Sequence, residues 1–513
     1  MNDFPWLTLL ILVPLVGSLL VAFLPKAPGS ALPKQVAVAV SLLTLAIGVA
    51  IAAQFSSGDG MQLTETHTWI DAFGVNYALG VDGLGLLMIL LTVALVPIVL
   101  VASWNEADDG NAAAFFGWAL ALEAFSLAVF AATDVFLFYV VFEATLIPAY
   151  FLIGGFGREG RAFAALKFLM FQLGGGLVLL AGVIGLYVVS AQQGSPSYLL
   201  SDLSQLNLST GAERWLFVAF FIAFAVKAPL FPLHTWLADT TERATPGTSV
   251  LLVCVLDKIG TFGMLRFCLG LFPEASQWAT PVVVTLALIS IVYGALIAIG
   301  QDDILRLIGL TSLSHFGFIT LGIFAFSSQG GSGAILYMVN HGIGTAALFL
   351  LAGFLIRRRG TTLISQMGGL EKVTPVLAGL FLIAGLATLG LPGLSPFVSE
   401  ILVLISAFDY HWWVGGVAVS GIVLAAIYVL WMYQRVMTGP TPPTVEGTRD
   451  LGRRELVAVA PLMLALVVLG FYPRPLLDVA NPTVYSLMEH VGVSDAPPAV
   501  PAADNGSAEE GHQ

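Results

Sequence analysis

Residues 215–239 read WLFVAFFIAFAVKAPLFPLHTWLAD. The run from Trp215 to Val226 is uncharged; Lys227 then arrives with Pro229 and Pro232 directly behind it. Such a segment enters a bilayer, and an ionisable side chain inside a span is expensive and marks ion or proton pathways. Proline removes a backbone donor and breaks the helix, so the freed groups have to be satisfied by protein or water. Transporters build their sites at breaks of this kind. The stretch predicts a membrane helix interrupted beside a buried amine, in a protein that moves charge across a membrane.

Composition agrees. Of 513 residues 58% are hydrophobic and only 10% charged, whereas soluble domains are roughly 25% charged. A net charge of −12 argues against nucleic acid as a partner. Cys254 and Cys268 sit fourteen residues apart in one apolar run, about 21 Å along a helix and too far for a disulfide. No CxxC, HExxH, GxGxxG or GxxxxGK[ST] pattern is present, so nothing supports a metal, flavin, nucleotide or iron–sulfur site in this chain. The first apolar run, Trp6 to Leu24, follows Asp3 and ends without a small-residue cleavage site. It reads as a retained span and not a signal peptide.

Counting apolar stretches of about 20 residues predicts an all-α polytopic membrane protein of fourteen transmembrane helices. They fall near 5–25, 33–54, 79–103, 112–133, 135–155, 163–190, 213–237, 246–272, 278–299, 304–326, 332–355, 374–407, 413–437 and 452–473. The seventh is broken at Pro229 and Pro232, the twelfth at Pro392-Gly393 and Pro396. With this count fourteen of the twenty Lys and Arg residues fall at odd-numbered loops and three at the even loops and termini. That bias predicts cytoplasmic odd loops and both termini outside.

Residues 112–272 and 278–437 form two five-helix blocks of nearly equal length, each with its fourth helix interrupted by proline. Five is odd, so the blocks run through the membrane in opposite senses, the inverted-repeat pattern of secondary transporters. The expected divisions are a three-helix segment 1–111, repeats 112–272 and 278–437, a last helix with flanks 438–486, and an acidic disordered tail 487–513.

Several charges or histidines lie within spans, among them Glu123, Glu143, Lys167, Lys227, Asp257, Lys258, His315, His341 and Glu400. A proton path needs groups that hold and release a proton, spaced for side chains and waters to connect. Glu143, in VFLFYVVFEATLIPAYF, Lys227 and Lys258 are the leading candidates. Glu400 follows the second break as the counterpart of Lys227. His315 and His341 suggest a relay between Lys258 and Glu400, and His234, just past the first break, a link from Lys227 to Lys258. Asp257 either tunes Lys258 or meets another span; Glu123 and Lys167 read equally as halves of buried ion pairs. Gly174, Gly175 and Gly176 read as close-packing residues, and the aromatics as packing or lipid-facing.

Five ordered motifs make a family resemblance specific: FAVKAPLFPLHTWLAD, SVLLVCVLDKIGTFGMLRF, DDILRLIGLTSLSHFGF, NHGIGTAALFLLAG and LPGLSPFVSE. Together they resemble the antiporter-like family, which comprises the proton-pumping membrane subunits of respiratory complex I and the large subunits of Mrp-type cation/proton antiporters. By Glu400 the chain most resembles the M-type branch, counterpart of mitochondrial subunit 4, since L- and N-type and large Mrp subunits tend to carry lysine there. The resemblance implies that Glu143 and Lys227 form a coupling pair, that Lys258 and the histidines form a central hydrophilic axis, and that Glu400 exchanges the proton distally. The chain departs from the family at Thr241, Arg243 and Leu305, and in the Asp257–Lys258 doublet, where an apolar residue normally precedes the lysine.

The implied function is proton translocation within NADH–quinone oxidoreductase in a bacterial plasma membrane. The chain would hold no cofactor; flavin, iron–sulfur clusters and quinone would belong to partner subunits. Its neighbours would be L- and N-type subunits, the lateral helix of the former, and lipid. The alternative is the large subunit of an Mrp-type sodium/proton antiporter, and gene neighbours would separate the two. A passive scaffold is disfavoured, because it would gain nothing from so many buried charges.

Overall fold

In hydrocarbon an apolar run can satisfy its own backbone only as helix, and helix dominates this chain. The computed structural model describes residues 4–24, 30–58, 60–108, 110–194 and 196–493. Among the described residues eleven helical spans are long and apolar enough to cross a membrane. The other three expected segments are helical but short or interrupted. Trp6–Ala22 has 17 residues. Thr210–Lys227 carries Glu213, Arg214 and Lys227 within 18 residues. Pro375–Thr388 and Ser395–Tyr410 flank a break.

Five spans form the interior: Gly83–Ala102, Ala112–Ala131, Pro246–Leu269, Ile304–Phe324 and Ser328–Arg359. Around them stand helices with wide apolar exposure. Arg161–Gln192 presents Phe163, Met170, Leu177 and Ile184 at heptad spacing, all half or more exposed. Only lipid or another subunit can cover such a face. The charged side chains Glu123, Asp257 and Lys258, and the histidines His315 and His341, lie on the interior helices. These are the positions where a polar group escapes hydrocarbon and still meets other side chains.

The connections gather at two ends. At one, Lys34 pairs with Asp108, Glu106 accepts from Gly247 N at 3.1 Å, and Arg158 faces Asp303 at 3.7 Å. There too Arg435 meets Asp302 at 3.6 Å, and Arg358 pairs with Glu455 at 2.6 Å. The Lys/Arg-rich loops thus knit into one polar layer. At the other end a β-hairpin, Gln62–Ile70 with Val75–Val81, turns at Gly74 (φ +65°) and pairs Glu65 with Leu79 and His67 with Tyr77. Asp134 accepts from Asn76 N at 2.8 Å.

Three local expectations change. Residues 79–81 belong to the second strand, and the third span starts at Gly83, because the Asp82 carboxylate caps it by accepting from Gly85 N at 2.9 Å. Arg266 clamps the same carboxylate through its two terminal guanidinium nitrogens at 2.6 and 2.7 Å. A helix also follows the last span, Arg474–His490, and runs through 487–490 where a tail was expected to have begun. Its Leu476, Ala480, Val484 and Met488 recur at helical spacing, and Val491 is buried beyond it. The remainder of the expected acidic tail, 494–513, lies outside the described residues.

Candidate functional site

The first break separates Thr210–Lys227 from Thr235–Arg243. The backbone groups it frees find protein partners. Leu230 N donates to Ala225 O at 3.1 Å, the Trp236 indole to Val226 O at 3.1 Å, and Phe231 N to Ser290 Oγ at 2.9 Å. Lys227 ends the first helix, where a cation complements the negative end of the helix dipole. Its amine is fully buried, donates to Thr145 Oγ1 at 3.2 Å and lies 4.6 Å from the centre of the Phe142 ring.

Thr145 marks an interruption between Val135–Ala144 and Leu146–Phe156, and Glu143 is two residues before it. The Glu143 carboxylate acts electrostatically on Lys227, yet no ion pair within 4.0 Å joins them. Glu143 Oε1 is buried without a partner among the described residues. Its room is made by Gly176, where a Cβ would overlap the carboxylate. Of the glycines read as packing residues, Gly175 does press on Val226, but Gly176 serves the glutamate.

The second break, 389–394, follows the same plan. Leu391 N donates to Leu386 O at 3.0 Å, and Asn340 Nδ2 donates to Ser395 O at 2.7 Å. Gly390 adopts φ +75°, and a Cβ there would overlap the Glu400 carboxylate. Each break thus sits beside a buried ionisable group, and a glycine clears space for each of the two glutamates.

Between the breaks runs a line of polar contacts. Lys258 Nζ is 2.6 Å from His341 Nδ1 and 4.4 Å from the Phe316 ring centre. The His341 and His315 rings are 5.2 Å apart, and the Nε2 of each is buried without a partner among the described residues. His315 Nδ1 lies 2.8 Å from Tyr337 Oη, and Tyr337 Oη donates to Glu400 Oε1 at 2.8 Å. Lys258, His341, His315 and Glu400 are thereby brought onto one track. Tyr337 is the member that reading the aromatics as packing residues passes over. The signal was its position four residues before His341, on the same helical face.

His234 lies elsewhere. It stacks near Phe231 and Tyr293 with ring centres at 5.9 and 5.4 Å, and no hydrogen bond joins it to Lys227 or Lys258. It lines a cavity of about 290 Å³ together with Lys167, Asp239, Tyr293 and Arg306. Lys167 is one half of an ion pair, with Asp239 at 2.6 Å. Arg306 bridges Asp239 and Glu242, each at 2.7 Å. Glu123 is buried with both oxygens unpartnered among the described residues. At Thr241 the hydroxyl donates to Leu237 O at 3.1 Å and occupies the space opposite Gly309.

Two helix breaks, each beside a buried ionisable group, with a buried chain of Lys, His, Tyr and Glu leading to the second, define a class of membrane subunit, and comparison with known proteins agrees. The family described as NADH:quinone oxidoreductase/Mrp antiporter, TM, matches residues 132–425, which contain both breaks. The chain belongs to this family. More particularly, it is similar to subunits of the M type: a Mycobacterium tuberculosis protein named NADH-quinone oxidoreductase subunit M is 48% identical over 98% of this chain and 97% of its own length. A Rhodobacter capsulatus protein of the same name is 35% identical over 94% and 96%. Among solved structures, a chain of respiratory complex I from Thermus thermophilus with bound NADH superposes with TM-score 0.86 at 33% identity, covering 95% of this chain and all of that one. A chain of an Mrp complex from a Dietzia species has TM-score 0.83 at 22% identity over 96% and 100%, a likeness of fold.

Proposed function

We propose that this chain is a proton-translocating membrane-arm subunit of NADH–quinone oxidoreductase, coupling quinone reduction in partner subunits to proton movement through its own buried residues. The observation that carries the reading is the line Lys258–His341···His315–Tyr337–Glu400, with three of its four links at 2.6–2.8 Å. Each member holds or passes a proton. A hydroxyl donates and accepts at once, so a proton arriving at Tyr337 from His315 Nδ1 releases another to Glu400 Oε1. In a low-dielectric interior the charge on one member strongly biases its neighbour. Movement of Lys227 or Glu143 therefore alters where the proton rests further along.

In this reading Glu143 and Lys227 are the coupling pair and Thr145 is where the lysine rests. Glu400 is the distal exchanger, and His234 belongs to the polar cavity where Lys167, Asp239 and Arg306 meet. The full architecture is fourteen spans with two inverted five-helix repeats, 112–272 and 278–437. The Lys/Arg-rich end faces the cytoplasm, and both termini face outward. Flavin, clusters and quinone lie in other subunits, so this chain contributes no redox chemistry. Its apolar flanks meet L- and N-type subunits, the lateral helix of the former, and lipid in a bacterial plasma membrane. An Mrp-type sodium/proton antiporter role is the weaker alternative, since that likeness rests on fold.

The test is Lys227→Ala in the assembled complex, with proton uptake into inverted vesicles measured alongside NADH oxidation. Pumping falls strongly and quinone reduction falls with it. Glu143→Gln behaves alike, whereas Glu143→Asp keeps more activity. Normal pumping by assembled Lys227→Ala complex refutes the reading.

A further inference from the structure

Asp257 is fully buried, and neither of its carboxylate oxygens has a hydrogen-bond partner among the described residues. An orphaned carboxylate inside a membrane protein requires an explanation. Its surroundings supply one. The Pro246–Leu269 span crosses the Thr210–Lys227 helix on a ridge of small residues. A Cβ on Gly263 would overlap the Phe224 ring, and one on Gly260 would overlap Ala228 N and Phe224 O.

Asp257 continues that ridge, three residues before Gly260, so it faces the end of the helix that carries Lys227. Lys258, one residue on, is rotated by about 100°, and its amine reaches His341 instead. The doublet therefore addresses two directions, one residue towards each half of the site. The backbone is widened here as well. Asp257 N donates to Leu252 O at 2.9 Å, five residues back, closing the wide turn Leu251–Leu256, a distortion often found at functional sites. Lys258 and Lys227 are the charged groups that act on the carboxylate, and the Cys254 thiol lies one turn before it on the same helix. Glu123 is equally orphaned, but no ion pair reaches it among the described residues.

We propose that Asp257 is a proton-carrying residue that joins Lys227 to Lys258. This rests on the proton-translocation reading above and fills the segment from the coupling pair to the central line. A proton leaves the Lys227 ammonium and neutralises the Asp257 carboxylate, leaving Lys227 as the neutral amine. It then passes to a neutral Lys258 amine, and Asp257 is ionised again. No other species is consumed.

Asp257→Asn keeps size and hydrogen bonding but cannot titrate; Asp257→Leu removes the polar group altogether; Asp257→Glu keeps the acid. Each is measured in the assembled complex in inverted vesicles beside Lys227→Ala. The expected result is a loss of coupled pumping of about tenfold or more for Asn and Leu, in keeping with the loss of a proton-transfer group, and substantial recovery with Glu. If Asn does not assemble, Leu against Glu carries the same comparison. Wild-type pumping by Asn or Leu, or a Glu variant as poor as they are, overturns the proposal. Lys227→Ala separates the cases: its failure alongside an active Asp257→Asn sinks Asp257 alone, whereas its normal pumping sinks the proton-translocation reading itself.

Discussion

Tyr337→Phe isolates one hydroxyl. The ring stays, stacked 6.1 Å from Phe318 in the interior, so the core keeps its volume. What is lost is Oη, which holds His315 Nδ1 at 2.8 Å on one side and Glu400 Oε1 at 2.8 Å on the other. Leaving a buried polar group without its partner costs about 1–3 kcal/mol. Two groups are orphaned, and at the lower end that is about 2 kcal/mol, or roughly thirtyfold in a rate that depends on them. The loss falls on transfer between His315 and Glu400, not on redox chemistry. The expected outcome is assembled complex with proton translocation per NADH sharply reduced. Proton uptake into inverted vesicles, read against NADH oxidation in the same sample, measures it. A proton yield and rate within about twofold of wild type would refute the argument that Tyr337 is a link in the line, since a change that small lies below the cost of even one orphaned group.

Three further outcomes follow from the geometry. Glu400→Gln loses pumping, because it keeps hydrogen bonding and volume while removing titration, and Glu400→Lys retains part of it; equal failure of the two shows that another titratable group cannot replace the carboxylate. Gly176→Ala thrusts a methyl group into the Glu143 carboxylate and lowers pumping as Glu143→Gln does, while Gly174→Ala, which meets open space, has little effect; the same vesicle assay reads both. Topology is checked with cysteines at Ser57 and Glu446, since native Cys254 and Cys268 are both buried. An impermeant reagent labels the Ser57 site only from outside and the Glu446 site only from the cytoplasm, and labelling of both from one face rules out the proposed arrangement.

The amino-acid sequence decided the class of the molecule, because composition and proline act locally. A run such as Trp215–Val226 can only be helix in hydrocarbon, and Pro229 and Pro392 stop the helix wherever the rest of the chain goes. The breaks at 228–234 and 389–394 were legible for that reason. Two elements left a signal that a count of apolar runs overlooks. Thr64, Thr66 and Thr68 alternate as a strand does, and the 474–490 stretch repeats apolar residues at helical spacing. Tertiary structure decided which ionisable residues meet. Lys258 and His341 are 83 residues apart, Tyr337 and Glu400 are 63 apart, and no local preference records such a contact. It placed His234 in the cavity with Lys167 and kept Glu143 out of direct contact with Lys227. It also turned Tyr337 from a packing aromatic into a bridge. A buried polar group takes its role from whatever lies within about 3 Å, and that is set by how helices cross, which depends on the side chains of both partners at once.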